Sequence, residues 1–254
     1  MEPRKEVDVT ECLHRGAIGA LGAIPGTLAA HPIDLIKIRI QTGAGSLSAA
    51  ILGLGTRDSG YYRGLGPGVL QKVATRGPMF LASEVGTQCC ETGLGLSREK
   101  ALVIGSLSSG YVTGFLAASF EWAKVQRSLG AAVGAVSAKH RTAICHGAGL
   151  RNAVFDAAFF GTEHFARRWG LPPEASYAIG AVAAITLDYP LDVALKRNMA
   201  APTKSTVPRV GAALLAFRLL RDRGPRLVFA GLGVKSCEFG VSYACTGYVS
   251  TFFR

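Results

Sequence analysis

The chain has 254 residues, 28 Lys and Arg against 17 Asp and Glu, and a formal net charge of +11. Hydrophobic residues make up 49% and charged ones only 18%, with a mean hydropathy of +0.28, so the composition favours a membrane protein over a soluble one. The positive charge raises nucleic acid as a partner. No nucleic-acid fold motif or aromatic-supported basic stripe accompanies it, however, and that class is set aside.

The first fifteen residues mix Glu2, Glu6, Asp8 and Glu11 with Arg4, Lys5 and Arg15, which does not suit a cleavable presequence, where acids are scarce. Apolar stretches follow at about 12–42, 64–90, 101–120, 143–168, 174–198 and 226–253, and each predicts a helix. Residues 101–120 are uncharged over the roughly 20 residues a crossing needs. Several others carry charges, so hydropathy alone undercounts them. Segments 43–60 and 128–142, rich in Gly, Ala and Ser, predict short helices or loops. The basic connection 196–226 against the balanced stretch 85–100 suits an alternation of membrane sides.

The first helix carries His31-Pro32-Ile33-Asp34-Leu35-Ile36-Lys37-Ile38-Arg39-Ile40-Gln41. A proline inside a helix removes a backbone hydrogen bond and kinks it, and Asp34 and Lys37 lie three apart on one face. The unit returns as Tyr189-Pro190-Leu191-Asp192, followed by Lys196 and Arg197. It returns in part as Ser119-Phe120-Glu121-Trp122-Ala123-Lys124, with serine in place of proline. Small residues stand ten and six positions before each: Gly22 and Gly26, Ser109 and Thr113, Gly180 and Ala184. That spacing lets helix backbones approach closely. A second motif follows each first one: Tyr62-Arg63-Gly64-Leu65-Gly66-Pro67 leads to Lys72 and Glu84, Gly147-Ala148-Gly149-Leu150-Arg151 to Glu163, and Gly231-Leu232-Gly233-Val234-Lys235 to Tyr243. Three imperfect repeats of two helices result, at 12–92, 99–170 and 174–254 of a single transmembrane domain.

Pro-x-Asp-x-x-Lys-x-Arg-x-Gln at 32–41 and Tyr-Arg-Gly-Leu-x-Pro at 62–67 resemble the mitochondrial carrier family, over nearly the whole chain. The resemblance implies an all-α membrane fold of six transmembrane helices in three pseudo-threefold pairs, in the mitochondrial inner membrane. It implies kinks at Pro32 and Pro190, and a matrix-side gate of Asp34, Lys37, Gln41, Glu121, Lys124 and Asp192. Asp34 would meet Lys124, and Asp192 would meet Lys37. Glu121 faces Leu195 where the family has a base, so its pair is missing unless Lys196 reaches round. Outer-gate remnants are Glu84 and Glu163, without the expected base three residues on. Lys72, Arg151 and Lys235, with Asn152 and Glu238, fall near the family's substrate-contact positions. The alternative for Lys72 and Lys235 is snorkelling to water, or pairing with Glu84 or Glu238.

Cysteines 12, 89, 90, 145, 237 and 245 show no Cys-x-x-Cys and read as buried free thiols, and His146 and His164 read as packing residues. No metal, cofactor or enzymatic motif is found. The expected function is an accessory, transport-impaired subunit of a larger membrane assembly such as a respiratory complex. Its partners would be the bilayer, including anionic lipid such as cardiolipin, and other subunits. The alternative is a carrier exchanging a small anionic metabolite.

Overall fold

The computed structural model describes residues 9–44, 46–52, 60–131, 133, 137–201 and 211–250, which are helical with no strand among them. The first helix, α1 (Val9–Arg39), contains Pro25 and Pro32 and runs into a wider turn, Ile40–Ala44, closed by Gly43 at φ 123. A short α2 (Leu47–Leu52) and a tight turn at Gly60–Tyr62 lead to α3 (Leu65–Gly93). Then come α4 (Arg98–Ser128), α5 (Ala138–Arg168) and α6 (Pro173–Ala200, with Pro190 inside). The amphipathic α7 (Ala212–Arg223), the single turn α8 (Pro225–Val228) and α9 (Leu232–Ser250) complete the fold. Two helices, α4 and α6, are long and apolar enough to cross a membrane. The other expected spans are helices too, interrupted by the charges that line the interior.

Two boundaries depart from expectation. Residues 226–253 were read as one helix, but the chain breaks at Gly231, in the left-handed region at φ 88, and α9 starts after it. Conversely, α5 begins at Ala138, inside the segment 128–142 that predicted short helices or loops, because Ser137 caps the long helix by accepting from the His140 amide. In 43–60, read as short helices or loops, α2 is a short helix and residues 53–59 lie outside the described residues, as do Met1–Asp8, Lys204, Arg209 and the chain end beyond 250.

Side by side, α1 packs on α3, α3 on α4, α4 on α5, α5 on α6, and α9 back on α1; α6 and α9 meet lightly. The closest approach is between α4 and α5. A Cβ at Gly114 would stand 2.4 Å from the Ala148 carbonyl oxygen, and one at Gly110 2.6 Å from that of Asn152. The glycines that permit contact therefore sit one residue beyond the expected Ser109 and Thr113. Those two are buried and return their hydroxyls to their own helix, at Ser106 O and Ser109 O. At the end where α4, α5, α6 and α7 converge, Val125, Ile144, Leu195, Met199, Ala212 and Ala216 form an apolar cluster. A second cluster joins Phe155, Phe159 and Tyr177 to Phe239 across the bundle.

Candidate functional site: a buried ion-pair network

Asp34 on α1, Glu121 on α4 and Asp192 on α6 meet inside the bundle, where all six long helices contribute to a cavity of about 110 Å³. Asp34 on α1 binds Lys124 on α4 at 2.7 Å, as expected, and also Lys37 on its own helix at 2.7 Å. All three are nearly fully buried. Lys37 does not pair with Asp192. It turns to Glu238 on α9 at 2.6 Å, and Glu238 also lies 3.5 Å from Lys72 on α3. The expectation fails because α9 supplies a nearer carboxylate than α6 does.

Glu121 is the hub of the second repeat. Lys196 does reach round to it, and Arg151 of α5 joins through both guanidinium nitrogens, Nη2 at 3.0 Å. The same guanidinium reaches Asp192 at 3.0 Å and is steadied by the Asn152 side chain at 2.7 Å. Arg151 and Lys196 thus occupy the electrostatic place left by Leu195. Asp192 is further held by Gln41, whose amide donates at 3.0 Å, and by Lys235 at 3.4 Å. Lys235 binds both oxygens of Asp188 at 2.8 Å. Asp188 was not singled out from the sequence, although it lies one helical turn before Asp192, on the same face.

The formal charges balance. Lys37, Lys72, Lys124, Arg151, Lys196 and Lys235 face Asp34, Glu121, Asp156, Asp188, Asp192 and Glu238 around this cavity and its edge. Buried ions are costly unless paired, and breaking one such pair is worse than never having had it. The three cations expected to meet a substrate are therefore already held by carboxylates. Of the alternatives for Lys72, pairing with Glu238 is what the geometry gives, and it is the loosest contact of the set.

Two anchors outside the network were also missed. His31 Nε2 donates to the Arg63 carbonyl at 3.0 Å, just before Gly64 at φ 82. In the third repeat the Tyr189 hydroxyl donates to the Ala230 carbonyl at 2.6 Å, just before Gly231 at φ 88. Each is the residue preceding a kink proline, and each ties it to the start of the following helix. At the opposite end of the bundle Glu163 bonds Arg167 within α5 at 2.6 Å, and Glu84 on α3 is half-buried and followed by Thr87, which turns back to the Ser83 carbonyl. No ion pair between helices joins these two acids among the described residues.

Of the cysteines, 89, 90, 145, 237 and 245 are free, but only Cys145 is buried, so the reading of buried thiols holds for one. Cys12 lies outside the described side chains. His146 is exposed rather than packed inside, and His164 is half-buried with its ring edge-on to Phe165. Among the described residues no group of His, Cys, Asp and Glu could hold a metal. No protein-family model matches this chain, and no curated protein matches it.

Proposed function

We propose that the chain is a carrier-like protein of the mitochondrial inner membrane whose bundle is wired shut at one end, and that it serves as an accessory subunit of a larger membrane assembly. The observation that carries this reading is Arg151. A cation at a substrate-contact position is drawn into the gate, where it bonds Glu121 and Asp192 and fills in for the base missing at Leu195. Alternating access requires two states of similar energy, each held by its own contacts. Here one end holds a dense buried network, while at the other Glu163 is satisfied within its own helix. Opening the closed end would strand buried charges with nothing equivalent formed elsewhere. The bilayer, with anionic lipid such as cardiolipin, and neighbouring subunits are the partners, and no catalysis is assigned.

A second reading, a working exchanger of a small anion, is supported by the cavity itself and by Lys72, whose side chain is 24% exposed and only 3.5 Å from Glu238. An incoming anion would have to displace that carboxylate. Two measurements separate the readings: native particle size after mild detergent extraction of mitochondrial membranes, and anion exchange by purified protein in liposomes. A large, salt-resistant particle with no exchange is expected. A monomer that exchanges anions at a carrier-like rate would overturn the subunit reading.

A further inference from the structure

The outer seam between α4 and α5 carries polar chemistry that a lipid-facing surface does not need. Near the middle of α4, which is long and apolar enough to span a membrane, the Tyr111 hydroxyl shares a short hydrogen bond with His146 Nδ1. The Phe115 ring meets the imidazole edge-on at 5.5 Å between centroids. His146 is exposed, so this polar pair faces away from the bundle axis, where polar groups are rare unless they serve a function. One turn further along α4, exposed Ser119 begins a cavity of about 140 Å³, with Trp122 and Ala123 on one side, Ile144, Cys145 and Arg141 on the other, and Val133 of the connection between the helices at its end. The Trp122 indole N–H is buried and finds no acceptor among the described residues. A buried donor left without an acceptor costs roughly 1–3 kcal/mol.

The corresponding seams of the other repeats are filled from within. In the first, Tyr62 stacks on His31, which bonds the Arg63 carbonyl. In the third, Phe229 stacks on Tyr189, which bonds the Ala230 carbonyl. In the second, Cys145 stands at the position aligned with Phe229 and lines the cavity instead of filling it.

We infer that the α4–α5 seam is the docking surface for a transmembrane helix of a partner subunit. The partner would present an acidic side chain to Arg141 and the Trp122 N–H, with a hydrogen-bonding group one or two turns away against His146. The charge assigns the acid: Arg141 at the rim is cationic, and the orphan group beside it is a donor, so both call for an acceptor. The apolar walls and the length of the seam, from Tyr111 to Arg141, fit a helix laid along it. This inference rests on the reading of the chain as a membrane-embedded subunit.

Three measurements test it on the full chain in its native membranes. A photoreactive residue is placed at Ser119 and, as control, at Val182, which is 65% exposed on α6. Separately, Trp122→Phe with His146→Leu is followed by native particle size, and by melting temperature to verify folding. The expected result is a large wild-type particle, a polypeptide cross-link from Ser119 but not from Val182, and a variant that melts like wild type yet runs at monomer size. Ser119 cross-linking to phospholipid alone would overturn the docking helix, as would cross-links from Val182 only, while the large particle would leave the subunit reading intact. If that variant fails to fold, Arg141→Ala at the exposed rim replaces it, with loss of the large particle expected and an unchanged particle overturning the docking surface. A wild-type chain that runs as a monomer would overturn both.

Discussion

The helix pairs α4–α5 and α6–α9 carry related sequence motifs and end differently. In the latter, Pro190 interrupts α6, Tyr189 ahead of it reaches the Ala230 carbonyl, and left-handed Gly231 separates α8 from α9. In the former, Ser119 replaces the proline, Ala118 replaces the tyrosine, and Gly147, aligned with Gly231, lies in the middle of an unbroken α5. Proline, anchor and helix break are present together or absent together. A proline that bends one helix opens space, and a polar side chain can use that space to hold a chain turn; without either, the next helix runs straight through. The α4–α5 pair instead presses backbone on backbone through Gly110 and Gly114. It also holds Glu121, which both Arg151 and Lys196 bind.

The largest effect should come from that acid. Glu121→Gln leaves Arg151 and Lys196 with too little buried negative charge and is expected to cost about 3–5 kcal/mol in denaturant unfolding in detergent. The third repeat's equivalent, Asp192→Asn, should cost less, about 1–3 kcal/mol. There Arg151 keeps Glu121, and Lys235 keeps both oxygens of Asp188. Equal losses would mean that the second repeat is not the hub.

Next in size is the backbone contact. Gly114→Val would drive a side chain into the Ala148 carbonyl and separate α4 from α5, for a loss of about 1–3 kcal/mol. Gly233→Ala, where a Cβ meets nothing within 4 Å, should stay within about 0.5 kcal/mol of wild type in the same unfolding experiment. Tyr189→Phe should lose about 0.5–1.5 kcal/mol, and His31→Phe a similar amount, because each removes one anchor to a chain turn. The smallest effect is expected from Arg167→Ala at the opposite end, about 0.3–0.5 kcal/mol, since an exposed i,i+4 pair contributes little. A large loss there would reveal a second gate that the geometry does not show.

The helices were legible because their signals are local. Proline, acid and base recur at fixed spacing along single helices, and the pairing of Asp34 with Lys124 came from the resemblance to the carrier family, which sets the acid of one helix pair against the base of the next. Lys196 was legible as a condition, since a base one residue from the expected position can swing onto the same face. Arg151 was not legible as a gate member, because its reach from α5 to both Glu121 and Asp192 depends on how closely three helices pack. Asp192 was misassigned to Lys37 for the same reason: Glu238 on a distant stretch of chain competes for that lysine. The helix break at Gly231 lies inside an apolar run, and only its pairing with Tyr189, over forty residues earlier, marks it.

The proposed function requires the network to close one end of the bundle and keep it closed. Its most direct test is a single cysteine at Thr75, which lines the cavity, in a chain whose six native cysteines have been replaced. The protein would be labelled in sealed, oriented membranes with an impermeant maleimide applied from one side and then the other. Labelling is expected from one side alone, with Glu121→Gln opening the second. Labelling of the unmutated network from both sides would show that the bundle alternates, and would contradict the proposed function.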